Sequence, residues 1–146
     1  MDNSYEYHEG AFSVSSDRKR LDLNFVYSEL SDMYWSKGMP RELLERSIQN
    51  SLCFGLYLEE KQIGFAKVVS DLATFAFLGD VFVSAQHRGK GGSKAIMRAI
   101  INHPDLQNLR RFCLGTKDAH DLYRKFGFEV IKEPSNWMEI KRPYNQ

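Results

Sequence analysis

The sequence predicts an α/β fold in one domain covering residues 1–146, a mixed and largely antiparallel sheet with helices on both faces. Three observations predict it. Two runs rich in β-branched and aromatic residues, Leu52 to Leu58 and Ile63 to Val69, flank the polar turn Glu59-Glu60-Lys61-Gln62 and read as an antiparallel hairpin. Further on, the order changes to strand, helix, strand. That mixed order implies one layered structure with its sheet covered on both sides. The length of 146 residues and a hydrophobic content of 42% allow such a core.

The elements follow in order. Residues 1 to 20 are polar and irregular, with Tyr5, Tyr7 and Phe12 to Val14 as an edge strand. Asp22 to Met33 carries Leu23, Val26, Tyr27 and Leu30 at helical spacing, and Asp22 is able to cap it. Gly38 is the stop signal, and Pro40 opens a second helix with Leu43, Leu44 and Ile48 on one face. After the hairpin, in which Gly64 suits a bulge, a third strand runs from Phe75 or Phe77 to Val83. A helix from Ser93 ends at about Asn102, before Pro104. Arg111 to Gly115 is a buried strand and Ala119 to Phe126 a short helix closed by Gly127. Phe128 to Ile131 and Trp137 to Ile140 read as two final strands.

The most informative stretch lies between the third strand and its helix. Gln86 to Ser93 is a glycine-rich basic turn leading straight into a helix N-terminus. The first helical turn has N–H groups without partners and the positive end of the dipole, and glycine lets a ligand approach the backbone closely. Together these bind phosphate. His87, Arg88, Lys90 and Lys94 add charge of the right sign. The P-loop pattern fails for want of the first glycine. The dinucleotide fingerprint fails because Lys94 occupies its third glycine position.

Composition excludes several classes of partner. Twenty basic and nineteen acidic residues give a formal charge of +1, against a nucleic acid or an anionic membrane as the main partner. No apolar run reaches membrane-spanning length, and the N-terminus lacks a signal-peptide pattern, so a cytoplasmic location is expected. Cys53 and Cys113 read as reduced and buried, and no metal-ligand spacing is present.

Gln86-x-x-Gly89-x-Gly91 resembles the acetyl-coenzyme A signature of the GCN5-related N-acetyltransferase (GNAT) family. Ala119-His-Asp-Leu-Tyr123-Arg-Lys-Phe-Gly127-Phe128 resembles that family's later motif. The likeness covers about Leu52 to Lys141. It implies a central strand pair splayed to admit the cofactor's pantetheine arm, and transfer of acetyl from acetyl-coenzyme A to an amine of a small molecule or a protein. By this resemblance Val81, Phe82, Val83, Gln86, Arg88, Gly89, Lys90, Gly91, Gly92, Ser93, Thr116 and Tyr123 bind the cofactor. Two positions depart from the pattern: Thr116 replaces a frequent Asn, and Gly92 replaces a usual Leu or Ile, which is expected to loosen the helix start.

The chemistry needs an oxyanion donor, an acid and a base. A backbone N–H near Val83 is the candidate donor. The phenol of Tyr123 can protonate the departing thiolate. Asp80, at the mouth of the third strand, is the candidate base, ahead of Asp71, Glu59 and His120. Tyr34, Trp35, Phe75, Phe77 and Trp137 are candidate walls for the acceptor, with Tyr34 and Trp35 foremost because they sit at a helix end where the resemblance places the family's acceptor loop. Two rival readings are a non-catalytic acyl-coenzyme A module and a nucleotide-binding domain of another class. The C-terminal strand could pair across a homodimer.

Overall fold

The computed structural model describes residues 4–144. One six-stranded sheet has its strands in sequence order, β1 (Glu6–Glu9), β2 (Phe12–Ser15), β3 (Leu52–Leu58), β4 (Lys61–Ser70), β5 (Phe75–Val83) and β6 (Arg111–Leu114). Every neighbouring pair is antiparallel except β5 and β6, which are parallel because a helix crosses between them. Four α-helices accompany the sheet: α1 (Leu23–Ser31), α2 (Arg41–Gln49), α3 (Gly92–Ile101) and α4 (His120–Arg124).

Each sheet face has its own core. Ala95, Ile96, Met97, Ala99 and Ile100 of α3 pack with Val14, Phe54, Leu56, Ile63 and Val68 on one face. Val26 and Leu30 of α1 and Leu44 and Ile48 of α2 pack with Cys53, Phe65 and Phe82 on the other. The helix periods read from the sequence thus select the buried faces, except that Leu43 is 38% exposed. Asp22 caps α1 by accepting from the Phe25 amide at 3.1 Å. Pro40 is the cap residue of α2.

The chain departs from expectation at both ends. The N-terminal segment is a two-stranded hairpin turning at Gly10, not a single edge strand. The two C-terminal strands do not form. Phe128 is pinned as it leaves α4, its amide donating to the Tyr123 carbonyl and its ring meeting those of Phe112 and Tyr123 at 5.3 and 6.0 Å. Pro134 then starts a short 3₁₀ turn. Val130, Met138 and Ile140 are left 64, 96 and 81% exposed, so the segment lacks the buried face that would hold a strand in register. Cys53 is buried as expected, whereas Cys113 is half-buried.

Candidate active site

The site begins where two strands part. Pairing between β5 and β6 runs from Phe75–Arg111 to Leu78–Leu114 and stops, while β5 continues through Gly79 to Val83. This is the splayed pair. On its other side β5 carries a bulge: Phe65 pairs with Phe82 and Lys67 with Gly79, so Asp80 and Val81 together face Ala66. Asp80 takes φ +55°, a left-handed conformation that costs a non-glycine residue about 1–2 kcal/mol. The Ser84 amide donates to the Ile63 carbonyl at 2.8 Å. Antiparallel residues alternate in the direction of their N–H groups, so the neighbouring Val83 N–H points away from β4 into the gap left by β6.

The glycine turn follows. Gln86 and His87 lie on a short 3₁₀ turn, where the His87 ring nitrogen Nδ1 is 2.8 Å from the Ser84 hydroxyl. Arg88 folds back and donates from Nε to the Val83 carbonyl at 3.0 Å. Gly89 and Gly91 have φ +78° and +91°, and a Cβ on either would meet nothing within 4 Å. Gly91 is the N-cap of α3, with no side chain closing the helix end, so the amides of Gly92, Ser93 and Lys94 lack intrahelical acceptors. A turn with open space at Gly89 and Gly91, free backbone donors at the helix start and Arg88 and Lys90 exposed beside it fits a diphosphate. Gly92 does not loosen the helix. It is buried, and a Cβ there would stand 2.8 Å from Leu56 Cδ2 and 3.5 Å from Val83 Cγ2, so glycine lets α3 seat closely on the sheet.

Around the fork lies a cleft of about 410 Å³. Tyr34 and Trp35, on the loop after α1, form one wall; Phe77, Asp80 and Val81 of β5 form the floor; Thr116 and Tyr123 close the other side. Tyr123 also lines a second, mostly apolar cavity of about 300 Å³ between β6, α4 and residues 128–131, as do Leu114, Gly115 and Thr116. Burial pushes its phenol above the ordinary value, which keeps it protonated further into alkaline pH. Thr116 Oγ1 accepts from the Ala119 amide at 3.0 Å, capping the turn that precedes α4.

Asp80 is engaged on both oxygens. Lys67 Nζ is 2.8 Å from Oδ2, and Trp35 Nε1 donates to Oδ1 at 3.1 Å.

Of the expected residues, the structure brings Tyr34, Trp35, Phe77, Asp80, Val81, Thr116 and Tyr123 into one cleft. It does not bring Phe75 or Trp137 there. Phe75 pairs with Arg111 at the far end of β5, and Trp137 lies under the Arg111 guanidinium at 4.9 Å. Asp71 accepts hydrogen bonds from Ala73, Thr74 and Phe75, which hold its carboxyl well below the usual range and make it the cap of the β4–β5 turn. Glu59 sits in the β3–β4 hairpin turn, and His120 lines the second cavity. Lys67 went unanticipated. A lysine amid the apolar residues of the run Ile63 to Val69 was the signal, since a sheltered charge requires a partner.

The sheet with its parting strands is that of an acetyltransferase. The family model described as an acetyltransferase (GNAT) domain matches residues 49–130. A Gibberella zeae protein named as an acetyltransferase is 33% identical over 139 residues, which cover 80% of this chain and 77% of that protein. A Xanthomonas campestris protein of the GNAT family, solved as a crystal structure, is 48% identical with a TM-score of 0.90 over 92% of this chain and 97% of that one. A Clostridium acetobutylicum protein solved with acetyl-CoA shares the fold at a TM-score of 0.62 and 13% identity, over 95% of each chain. The chain belongs to the GNAT acetyltransferase family. Among the described residues no helix is long and apolar enough to cross a membrane, and no group of three or more His, Cys, Asp or Glu residues is placed to hold a metal ion.

Proposed function

We propose that this protein transfers an acetyl group from acetyl-coenzyme A to a primary amine, on a small molecule or a protein, by direct attack. The observation that carries the reading is the position of Tyr123, a sheltered phenol lining the cleft at the fork between β5 and β6. Acetyl-coenzyme A supplies the thioester carbonyl that the amine attacks.

The chain's own residues have three tasks. Backbone amides from Gly89 to Ser93 hold the diphosphate, with Arg88 and Lys90 beside them. The Val83 N–H, free of β4, donates to the carbonyl oxygen as it becomes negative. Tyr123 donates its phenolic proton to the leaving sulfur, and burial keeps that proton in place until it is needed. The acceptor enters between Tyr34, Trp35 and Phe77, whose faces suit an amine. One ammonium proton leaves to water at the mouth of the cleft before attack, since the oxygens of Asp80 are taken by Lys67 and Trp35, and the second, released from nitrogen as the amide forms, restores the Tyr123 phenol.

The test is an amine panel of alkylamines, diamines, amino sugars and lysyl peptides, with acetyl-coenzyme A and detection of free thiol. Amine-dependent thiol release that falls sharply in Tyr123→Phe is expected. Release with every amine at the uncatalysed rate would sink the proposal.

A further inference from the structure

Lys67 stands in the middle of β4 between the buried residues Ala66 and Val68, with its side chain 15% exposed. Its ammonium has two neighbours, Asp80 Oδ2 at 2.8 Å and the Ser47 hydroxyl of α2 at 3.3 Å. The Asp80 carboxylate reaches it because the β5 bulge, with φ +55° at Asp80 itself, turns that residue out of the regular alternation. The other carboxylate oxygen takes the indole N–H of Trp35 at 3.1 Å.

Trp35 needs this tie. It is 43% exposed, so packing does not fix its ring. The loop that carries it is rooted one residue later, where the buried Ser36 donates from its hydroxyl to the Leu30 carbonyl at 2.6 Å. Ser36 holds the backbone and Asp80 orients the ring. Tyr34 meets Trp35 edge to face at 5.1 Å, and Lys117 lies 5.2 Å over the Tyr34 ring from across the cleft. A line of contacts therefore runs from α2 through Lys67, Asp80, Trp35 and Tyr34 to Lys117 on the opposite rim.

We propose that Lys67 is a positioning residue for acceptor recognition: by pairing with Asp80 it holds that carboxylate in place, and the carboxylate holds Trp35 as a wall of the acceptor cleft. The proposal rests on reading that cleft as the acceptor site. Without the ammonium, the sheltered carboxylate has lost its counter-charge and turns toward water, and the indole loses its acceptor. Lys67 is not among the residues that line the cleft, so its effect passes through the wall.

The experiment uses the full chain with Trp137→Phe as background, which leaves Trp35 the only tryptophan of the two present. Lys67→Met and Asp80→Ala are introduced, with Lys67→Arg as the conservative variant, and folding is checked by circular dichroism. Acrylamide quenching of Trp35 fluorescence reads the tie directly and requires no turnover. Steady-state kinetics with the best amine of the panel read its consequence. Lys67→Met and Asp80→Ala, which removes the acceptor of the indole N–H, are expected to raise quenching and to raise the acceptor KM about tenfold, with the KM for acetyl-coenzyme A unchanged. Lys67→Arg restores both. Unchanged quenching in Lys67→Met overturns the proposal, and so does increased quenching with an unaltered acceptor KM. If no amine is turned over at all, the transferase reading fails, and quenching alone decides whether Lys67 orients Trp35. Should Lys67→Met not fold, Asp80→Ala carries both readouts.

Discussion

The Arg88 side chain donates from Nε to the carbonyl oxygen of Val83 at 3.0 Å. One bond thereby joins the basic turn to the strand end whose amide faces the fork. In the proposed site this corner would join the phosphate end to the acyl end, and the Ser84–His87 contact at 2.8 Å braces it further.

Arg88→Ala removes both that brace and a charge beside the turn. Hydrogen bonds to charged groups contribute about 1.5–3 kcal/mol. Acetyl-coenzyme A affinity, read by calorimetry, is expected to fall roughly 10- to 100-fold. Thermal stability should change little, because Arg88 is exposed.

Gly91→Ala tests the turn's backbone. Its φ of +91° is strained for alanine, although nothing lies within 4 Å of the new Cβ. A stability loss of about 1–2 kcal/mol in urea unfolding is expected. Weaker acetyl-coenzyme A binding should accompany it, since the turn can relax only by moving its amides.

Gly92→Leu introduces the residue more usual at this position. Leu56, fully buried, would be met at 2.8 Å by the Cβ alone. Overpacking of this kind costs about 1–3 kcal/mol. The melting temperature should drop even though leucine is the better helix former.

Tyr123→Phe keeps the ring that meets Phe128 and deletes the proposed acid. General-acid catalysis contributes about 10²- to 10⁴-fold. That loss is expected in kcat, with the KM for acetyl-coenzyme A nearly constant. In the unmodified protein the alkaline limb of kcat should lie above the usual phenol range, because burial raises this group.

Alkaline stability provides a prediction independent of catalysis. Burial pushes the Cys53 thiol from 9.0 up to about 12. The folded protein therefore holds this proton more tightly than the unfolded chain does. The stability this provides is complete below about pH 9 and is lost as pH rises toward 12. Between those values each pH unit costs about 1.4 kcal/mol. Urea unfolding from pH 8 to 11 should show this slope, and Cys53→Ala should flatten it. Tyr57, also pushed up to about 12 by burial, adds a similar decline above pH 10.

The readable parts of the site are the local ones. The Gln86–Ser93 turn and its helix lie within a few residues, and their glycines and charges state the need for positive φ and open amides directly. The apolar spacing of α1 similarly identified its buried face, and the Asp22 cap was visible as a residue type in the right place. The aromatic pocket was only half readable. Tyr34, Trp35 and Phe77 reach the cleft, whereas Phe75 and Trp137 are of the same types and lie elsewhere. The Lys67–Asp80–Trp35 contact was not readable, because it joins residues 13 and 45 positions apart, across a bulge that breaks the register.

What the sequence determined by itself is therefore whatever a short stretch of backbone decides: helix faces, caps, the glycine turn and the β3–β4 hairpin. Only the tertiary structure decided that β6 leaves β5 after Leu114, that Asp80 turns toward Lys67, and that the C-terminal segment forms no strand. These depend on which distant groups compete for the same backbone edge and the same carboxylate. That competition is settled by packing across the whole sheet, and no local pattern of residues records its outcome.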